Sequence, residues 1–255
     1  MKSAVFVSAR TKSTRLPRKV LLDIKGKATI EHLIERAKQP ELTDMVIMCT
    51  SVHPGDDPLY KIAKKNDIEC FRGSPEDKLD RYLNAVYKYE LDYAVIMDGD
   101  NVFMEPEIVD RIIKRYQETG ADYVACKDLP VGAAPHGLSR EALERVCEIK
   151  SESDTEVWGG YFVDTGLFKV EYLEFEEELR HPEMRLTLDY HEDFDLLQEI
   201  FNILYTPGEV FSLRDVISLL VKNPELMKIN SHKHQEYLEH LKESAPVRID
   251  TSTNI

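Results

Sequence analysis

No two cysteines of this sequence stand in a C-x-x-C pair, and no Gly-x-x-x-x-Gly-Lys segment is present. No apolar run nears the roughly 18 residues that a membrane span needs. Each absence excludes something. Cys49, Cys70 and Cys126 lie in or beside apolar runs, where a free thiol packs as a small hydrophobe, and Cys147 completes the set. A reduced, cytoplasmic setting is therefore expected. Residues 3–9 are apolar but are closed at once by Arg10, which reads as a first strand and not as a leader segment. Positive charge is also scarce. The formal net charge is −14, so neither nucleic acid nor an anionic membrane surface is expected as a partner. There is no internal repeat and no low-complexity tract.

What positive charge there is gathers at one end. Residues 1–30 carry Lys2, Arg10, Lys12, Arg15, Arg18, Lys19, Lys25 and Lys27 against a single acid, Asp23. A basic segment on an acidic chain points to a local anion site, with a basic surface loop as the plain alternative.

With 255 residues, 42% hydrophobic and 31% charged, the chain can build one large α/β domain, expected over residues 1–230 with a polar tail at 231–255. Ala4 to Val7 is a first buried run. Ile30, Leu33, Ile34 and Ala37 recur at helical spacing, predicting a helix over 28–38. Met45 to Cys49 is a second strand, 57–66 a helix, Ile68 to Phe71 a third strand and 76–89 a helix. Tyr93 to Met97 is a fourth strand ending at Asp98-Gly99-Asp100. A helix follows from Pro106, a residue tolerated in a first turn, to Gly120. Tyr123 to Cys126 is a fifth strand. Strands separated by helices of this length imply βαβ units and a mostly parallel sheet. Ligands of such sheets sit at the carboxyl ends of the strands, which places segments 8–19, 50–56, 72–77 and 98–101 on one edge. Beyond residue 127, Gly132, Pro135 and Gly137 read as a loop and 140–149 as a helix. The aromatic stretch 157–170 reads as strand, Arg185 to Asp189 as a short strand, and 192–204 and 213–221 as helices, the last capped by Ser212 with Asp215 three residues on.

Three constellations carry chemistry. Ser8 through Lys19 packs hydroxyls and five cations directly after the first strand, where arginine forks and lysine charges can wrap a polyphosphate. Asp98-Gly99-Asp100 suits a hard cation such as Mg²⁺, and an acidic turn is its plain alternative. Asp189 stands at the end of a predicted strand and can complete that site from the second half of the chain. Glu192 and Asp193 read more simply as acids of a first helical turn.

Taken together these motifs resemble the cytidylyltransferases that activate acidic sugars, in particular the spore-coat polysaccharide type, over about residues 1–230. Ala9-Arg10 through Leu16-Pro17-x-Lys19 is similar to the family's nucleotide loop. Arg72 through Tyr82 is similar to its second nucleotide segment, Arg185 through Asp189 to its late Asp motif, and Asn223 through Leu226 to a C-terminal helix. The resemblance implies a Rossmann-like three-layer α/β/α nucleotidyltransferase fold and a Mg²⁺-dependent transfer of CMP from CTP to an acidic acceptor, with release of pyrophosphate. It implies that Ser8, Ala9, Arg10, Ser13, Arg15 and Lys19 contact CTP, that Thr50, Arg72 and Ser74 lie near cytosine and ribose, and that Asp100 and Asp189 hold the metal. Asp98 falls where close relatives have no carboxylate, and reads as an added ligand, an acceptor contact or a base. Arg10, Arg15, Lys19, Asp98 and Asp100 form the expected catalytic set. Arg18, which stands where the family usually has glycine, joins His136 and Arg185 as a candidate acceptor contact. Residues 128–184 are expected to line the acceptor pocket and to support a homodimer. The rival readings are a metal-dependent glycosyltransferase using Asp98-x-Asp100 and a non-catalytic CTP-binding module.

Overall fold

A computed structural model describes residues 1–244 and 247–250. The chain runs β1 (Ser3–Ser8), a small hairpin of β2 (Asp23–Ile24) and β3 (Lys27–Ala28), α1 (Thr29–Ala37), β4 (Met45–Ser51), α2 (Asp57–Lys65), β5 (Glu69–Gly73), α3 (Lys78–Tyr89), β6 (Tyr93–Asp98), α4 (Pro106–Thr119) and β7 (Tyr123–Cys126). It continues through β8 (His136–Ser139), α5 (Arg140–Ile149), α6 (Gly160–Val163), β9 (Val170–Leu173), α7 (His191–Leu204), α8 (Leu213–Lys222), α9 (Pro224–Met227) and α10 (Lys233–Ser244).

Seven strands form one sheet in the order β5-β4-β1-β6-β8-β7-β9. The first four are mutually parallel, β8 enters antiparallel between β6 and β7, and β9 runs parallel to β7. Strand β1 shows why its run is apolar throughout. Val5 and Val7 pack into a core with α1, α2, α4, α7 and α8, whereas Ala4 and Phe6 pack into a second core with α3 and α5. A strand buried on both faces leaves no polar stripe to alternate with. The strand order reverses between β1 and β6, where such sheets open a crevice. Ser8 and Asp98 are paired in register at that point.

The first half follows its hydrophobic periodicity closely, to within about two residues at each element end. The second half corrects four expectations. Residues 157–170 do not form a strand: they hold the short helix α6, and only Val170–Leu173 pairs in the sheet. The aromatic residues are buried for another reason, since Trp158 and Phe162 close edge-on with Tyr123 and Phe168 around them. Arg185 to Asp189 is extended but not a strand, having one bridge, Val131 to Arg185. The loop expected around Gly137 contains β8. Residues 233–244, expected within a polar tail, form α10.

Candidate active site

Two stretches 89 residues apart in sequence are stitched together at the crevice, where the Leu188 N–H donates to the Asp100 carbonyl oxygen at 2.8 Å. This brings the Asp100 and Asp189 carboxylates to one ammonium. Lys19 Nζ donates to Asp100 Oδ2 at 2.6 Å and to Asp189 Oδ1 at 2.8 Å, and Arg15 Nη2 donates to Asp189 Oδ1 at 2.6 Å. Burial alone would lower the Lys19 pKa, but the two carboxylates outweigh it and raise it. Asp189 sits well below the usual carboxylate range, because Lys19 and Arg15 outweigh its burial. Asp100 is raised instead: burial, reinforced by the Asp189 and Asp98 charges, outweighs its share of Lys19.

The local sequence explains how these groups are held. Arg18 has φ 56° and ψ 30°, the left-handed region that favours glycine, and leads the chain into the short turn bearing Lys19. Thr29 Oγ1 secures that turn by donating to the Lys19 carbonyl oxygen at 3.0 Å. Gly99 separates the two aspartates of the Asp-Gly-Asp motif because β6 passes the loop closely there; a Cβ would lie 2.7 Å from that of Ala9. Asp193 clamps the other stretch. Its carboxylate accepts from Arg185 Nε and Nη2, both at 2.8 Å, and from the N–H groups of Asp189 and Tyr190 at 2.8 and 3.0 Å. Asp193 is thus a first-turn acid, as its position suggested, and also the partner of a buried arginine. The Arg185 side chain is fully buried and committed to Asp193 and Asp189, which removes it from the candidate acceptor contacts.

A different arrangement lies two residues upstream, at Asp98. Lys78 Nζ donates to Asp98 Oδ1 at 2.6 Å, and both are largely buried. The Asp98 pKa is lowered, since Lys78 outweighs the penalty of burial. On the adjacent β8, His136 Nδ1 lies 2.8 Å from the Tyr123 hydroxyl, and Trp158 meets the imidazole edge-on at 5.6 Å. Burial lowers the His136 pKa despite the Asp98 charge, which favours the neutral ring. Arg10 faces this side too, through Glu156 at 2.5 Å and the Pro75 carbonyl oxygen.

The remaining expected residues fall into two groups. At the crevice, Ser8 Oγ accepts from the Tyr82 hydroxyl at 2.7 Å, the Ala9 N–H donates to the Cys49 carbonyl oxygen at 3.1 Å, and Ser13 Oγ accepts from the Leu16 N–H at 3.3 Å. Further out, Thr50 is fully buried and its Oγ1 has no hydrogen-bond partner among the described residues. Arg72 is occupied by the Ser51 and His53 carbonyl oxygens and by Asp57, and Ser74 Oγ accepts from the Asp77 N–H at 3.0 Å. Three residues escaped the sequence reading. Lys78 lies inside the segment Arg72 through Tyr82 but was given no role of its own, although its cation was the available signal. Glu156 gave no pattern. Asp56 anchors the loop by accepting from the Thr11 N–H at 2.7 Å and its hydroxyl at 2.6 Å.

Asp100 and Asp189 offer hard oxygen donors that meet at the Lys19 ammonium, a donor type that suits a hard divalent cation. Among the described residues no group of three or more His, Cys, Asp and Glu is arranged for a metal, so a cation here takes its other ligands from substrate and water. That is the habit of Mg²⁺ at phosphate sites. Among the described residues no helix is long and apolar enough to cross a membrane.

The cytidylyltransferase family profile matches residues 4–211. An uncharacterised protein of Methanocaldococcus jannaschii is 32% identical over 248 residues, covering 95% of this chain and all of that one. A spore coat polysaccharide biosynthesis protein of Bacillus subtilis is 28% identical over 227 residues, covering 86% and 94%. The solved structure of a cytidylyltransferase from Leptospira borgpetersenii superposes with a TM-score of 0.81 at 27% identity, covering 89% and 97%.

Proposed function

The chain belongs to the cytidylyltransferase family, and from that premise we propose that it transfers CMP from CTP to a small acidic acceptor, releasing pyrophosphate in the cytoplasm. The observation that carries this reading is the shared ammonium: Lys19 bridges Asp100 and Asp189, with Arg15 beside it, at the carboxyl edge of a parallel sheet. An acceptor oxygen attacks the α-phosphorus in line, and the bond to the pyrophosphate oxygen breaks. Positioning and charge neutralisation supply most of the acceleration in such transfers. Arg10, Arg15 and Lys19 bind the triphosphate and stabilise the charge that grows on leaving pyrophosphate. Asp100 and Asp189 would hold a Mg²⁺ ion, which would supply charge neutralisation for the transfer.

The acceptor enters from the side of Asp98, Lys78, His136 and Trp158, beside the Lys19 cluster. A sugar acid, a sugar phosphate or a phosphonate carries the negative charge that Lys78 and the exposed Arg18 favour. A phosphate or phosphonate oxygen needs no general base. A hydroxyl acceptor would require Asp98 to leave Lys78 before taking a proton. A homodimer through residues 128–184 belongs to the same proposal, and light scattering of the purified chain tests it.

The reaction is tested by incubating the protein with CTP, MgCl₂ and a panel of acidic sugars, sugar phosphates and phosphonates while following pyrophosphate. Acceptor-dependent pyrophosphate with CTP is expected. Tight CTP binding without turnover on any acceptor would leave a binding module. Sugar transfer from a nucleotide sugar, with no pyrophosphate from CTP, would replace the reading with the glycosyltransferase.

A further inference from the structure

Helix α10 comes last in the chain and returns to lie against the carboxylate cluster. Its approach is pinned beside the Asp189 stretch, where the buried Asn230 amide donates to the Arg185 carbonyl oxygen at 3.0 Å and to Asp193 Oδ1 at 2.9 Å. Lys233 then reaches Glu192 at 3.6 Å, and its ammonium lies 5.0 Å from the Tyr190 ring centre. One turn on, the Tyr237 ring covers the buried Arg185 guanidinium at 4.5 Å. The Tyr237 hydroxyl lies in the field of the cluster: burial, and then the Asp189, Asp100 and Asp98 charges, push its pKa up to about 12. The chain is attached again on the Lys78 side of the crevice. There the Ser151 N–H donates to the Arg248 carbonyl oxygen at 3.0 Å, and Arg248 Nη1 meets Glu152 at 2.7 Å. Lys150, next to this attachment, pairs with Asp77 at the start of α3.

Little apolar surface holds α10 down. None of Lys233 to Glu239 belongs to either hydrophobic core, and Leu238 is 36% exposed. By contrast, α8 buries Leu213, Val216, Ile217 and Leu220. The seat of α10 also seals polar atoms that have no hydrogen-bond partner among the described residues, namely Arg185 Nη1, Tyr190 Oη and His234 Nδ1. Each is penalised while it stays dry. An element held by rings, cations and ion pairs, and not by a core, opens at lower cost than the fold around it.

We propose that α10 is a lid over the substrate crevice, which lifts to admit the nucleotide and recloses on it, with the Tyr237 ring on the Arg185 guanidinium as its latch. The inference rests on the cytidylyl-transfer reading above and adds to it a moving part that the cations and carboxylates do not supply. A closed lid shields the reacting centre from water and delays escape of the nucleotide. The latch is a ring face against a cation, which phenylalanine at 237 would keep and alanine would not.

Three measurements on the full chain test the assignment. Isothermal titration with CTP and MgCl₂ gives the Kd. Hydrogen exchange read by mass spectrometry then compares MgCl₂ alone with MgCl₂ plus CTP at about 100 times that Kd. In the empty protein, α10 should exchange at least about tenfold faster than α7, as an element that opens by itself does. A lid that opens only when the nucleotide has left gains protection up to the saturation factor, about 100-fold, and at least about tenfold is expected. Stopped-flow mixing with CTP supplies the rates. Tyr237→Ala should speed both association and dissociation, the latter by about threefold to tenfold, while Tyr237→Phe stays within about twofold of wild type. An α10 that exchanges no faster than α7, or that gains no protection while CTP is bound, overturns the lid. Faster dissociation with unchanged association, in Ala and Phe variants alike, would make Tyr237 a plain hydroxyl contact and overturn the latch. Either result leaves the cytidylyl-transfer reading standing, whereas a wild type that binds no CTP removes both.

Discussion

Two lysines meet two aspartates at the end of β6, and the pairs behave oppositely. Lys78 has Asp98 to itself, and the Asp98 carboxyl is lowered. Lys19 is divided between Asp100 and Asp189, and Asp100 is raised. Only Gly99 separates the two aspartates. The difference teaches that a carboxylate's role is set by how many neighbours compete for the same cation. Asp98 is a satisfied ion pair that a further cation would disturb. Asp100 shares its one cation with Asp189, and burial together with the Asp189 and Asp98 charges keeps its pKa raised.

The most forceful way to break this contrast is Asp100→Asn. Pyrophosphate release should fall on the order of 10³-fold or more, while the melting temperature holds or rises, because a buried carboxylate of raised pKa has been removed. Near-normal turnover would end the metal assignment. Lys78→Met comes next. It strands the Asp98 carboxylate in a largely buried place, and urea unfolding should show a loss of about 2–4 kcal/mol, mostly recovered in the double variant with Asp98→Asn. A loss equal in both variants would mean that the pair is not coupled.

The subtlest test reads the sign of each pKa shift. Asp98 has a lowered folded pKa, so its contribution is present at neutral pH and fades as pH falls through that value. Asp100 has a raised folded pKa, so it burdens the fold at neutral pH, and protonation relieves the burden as pH falls through that value. Urea midpoints taken from pH 7 downward should therefore show Asp98→Asn below wild type with a closing gap. Asp100→Asn should lie at or above wild type with a shrinking gain. Gaps of the same sign for both variants would erase the distinction.

The first half of the molecule was legible because its periodicities report burial directly. Ile108, Ile112 and Ile113 mark α4, and Tyr123–Cys126 is a strand with the bounds its apolar run gave. The parallel sheet followed, and with it the edge that collects the basic loop and both aspartates. The second half was read poorly where burial serves ring packing and not sheet pairing, as with Trp158 and Phe162, or where a segment bonds to loops and not to a neighbouring strand, as at Leu186 to Asp189. Strand β8 was hidden by Pro135 and Gly137, which read as turn residues. At the site, residue types foretold charge but not its allocation. Arg185 looked available to a ligand until its guanidinium was seen inside the Asp193 clamp, and Lys78, unassigned within the segment Arg72 through Tyr82, is the partner of Asp98.

The bond from Leu188 to the Asp100 carbonyl also bears on timing. The phosphate-binding loop and Asp100 are synthesised early, but Asp189 joins them only when the intervening chain has folded and α7 has begun. Closing so long a span is entropically demanding and belongs to the slow part of folding. A nascent chain halted before α7 has the cations for a triphosphate and lacks the second carboxylate. The cluster of Lys19, Asp100 and Asp189 is therefore completed only at a late step of synthesis.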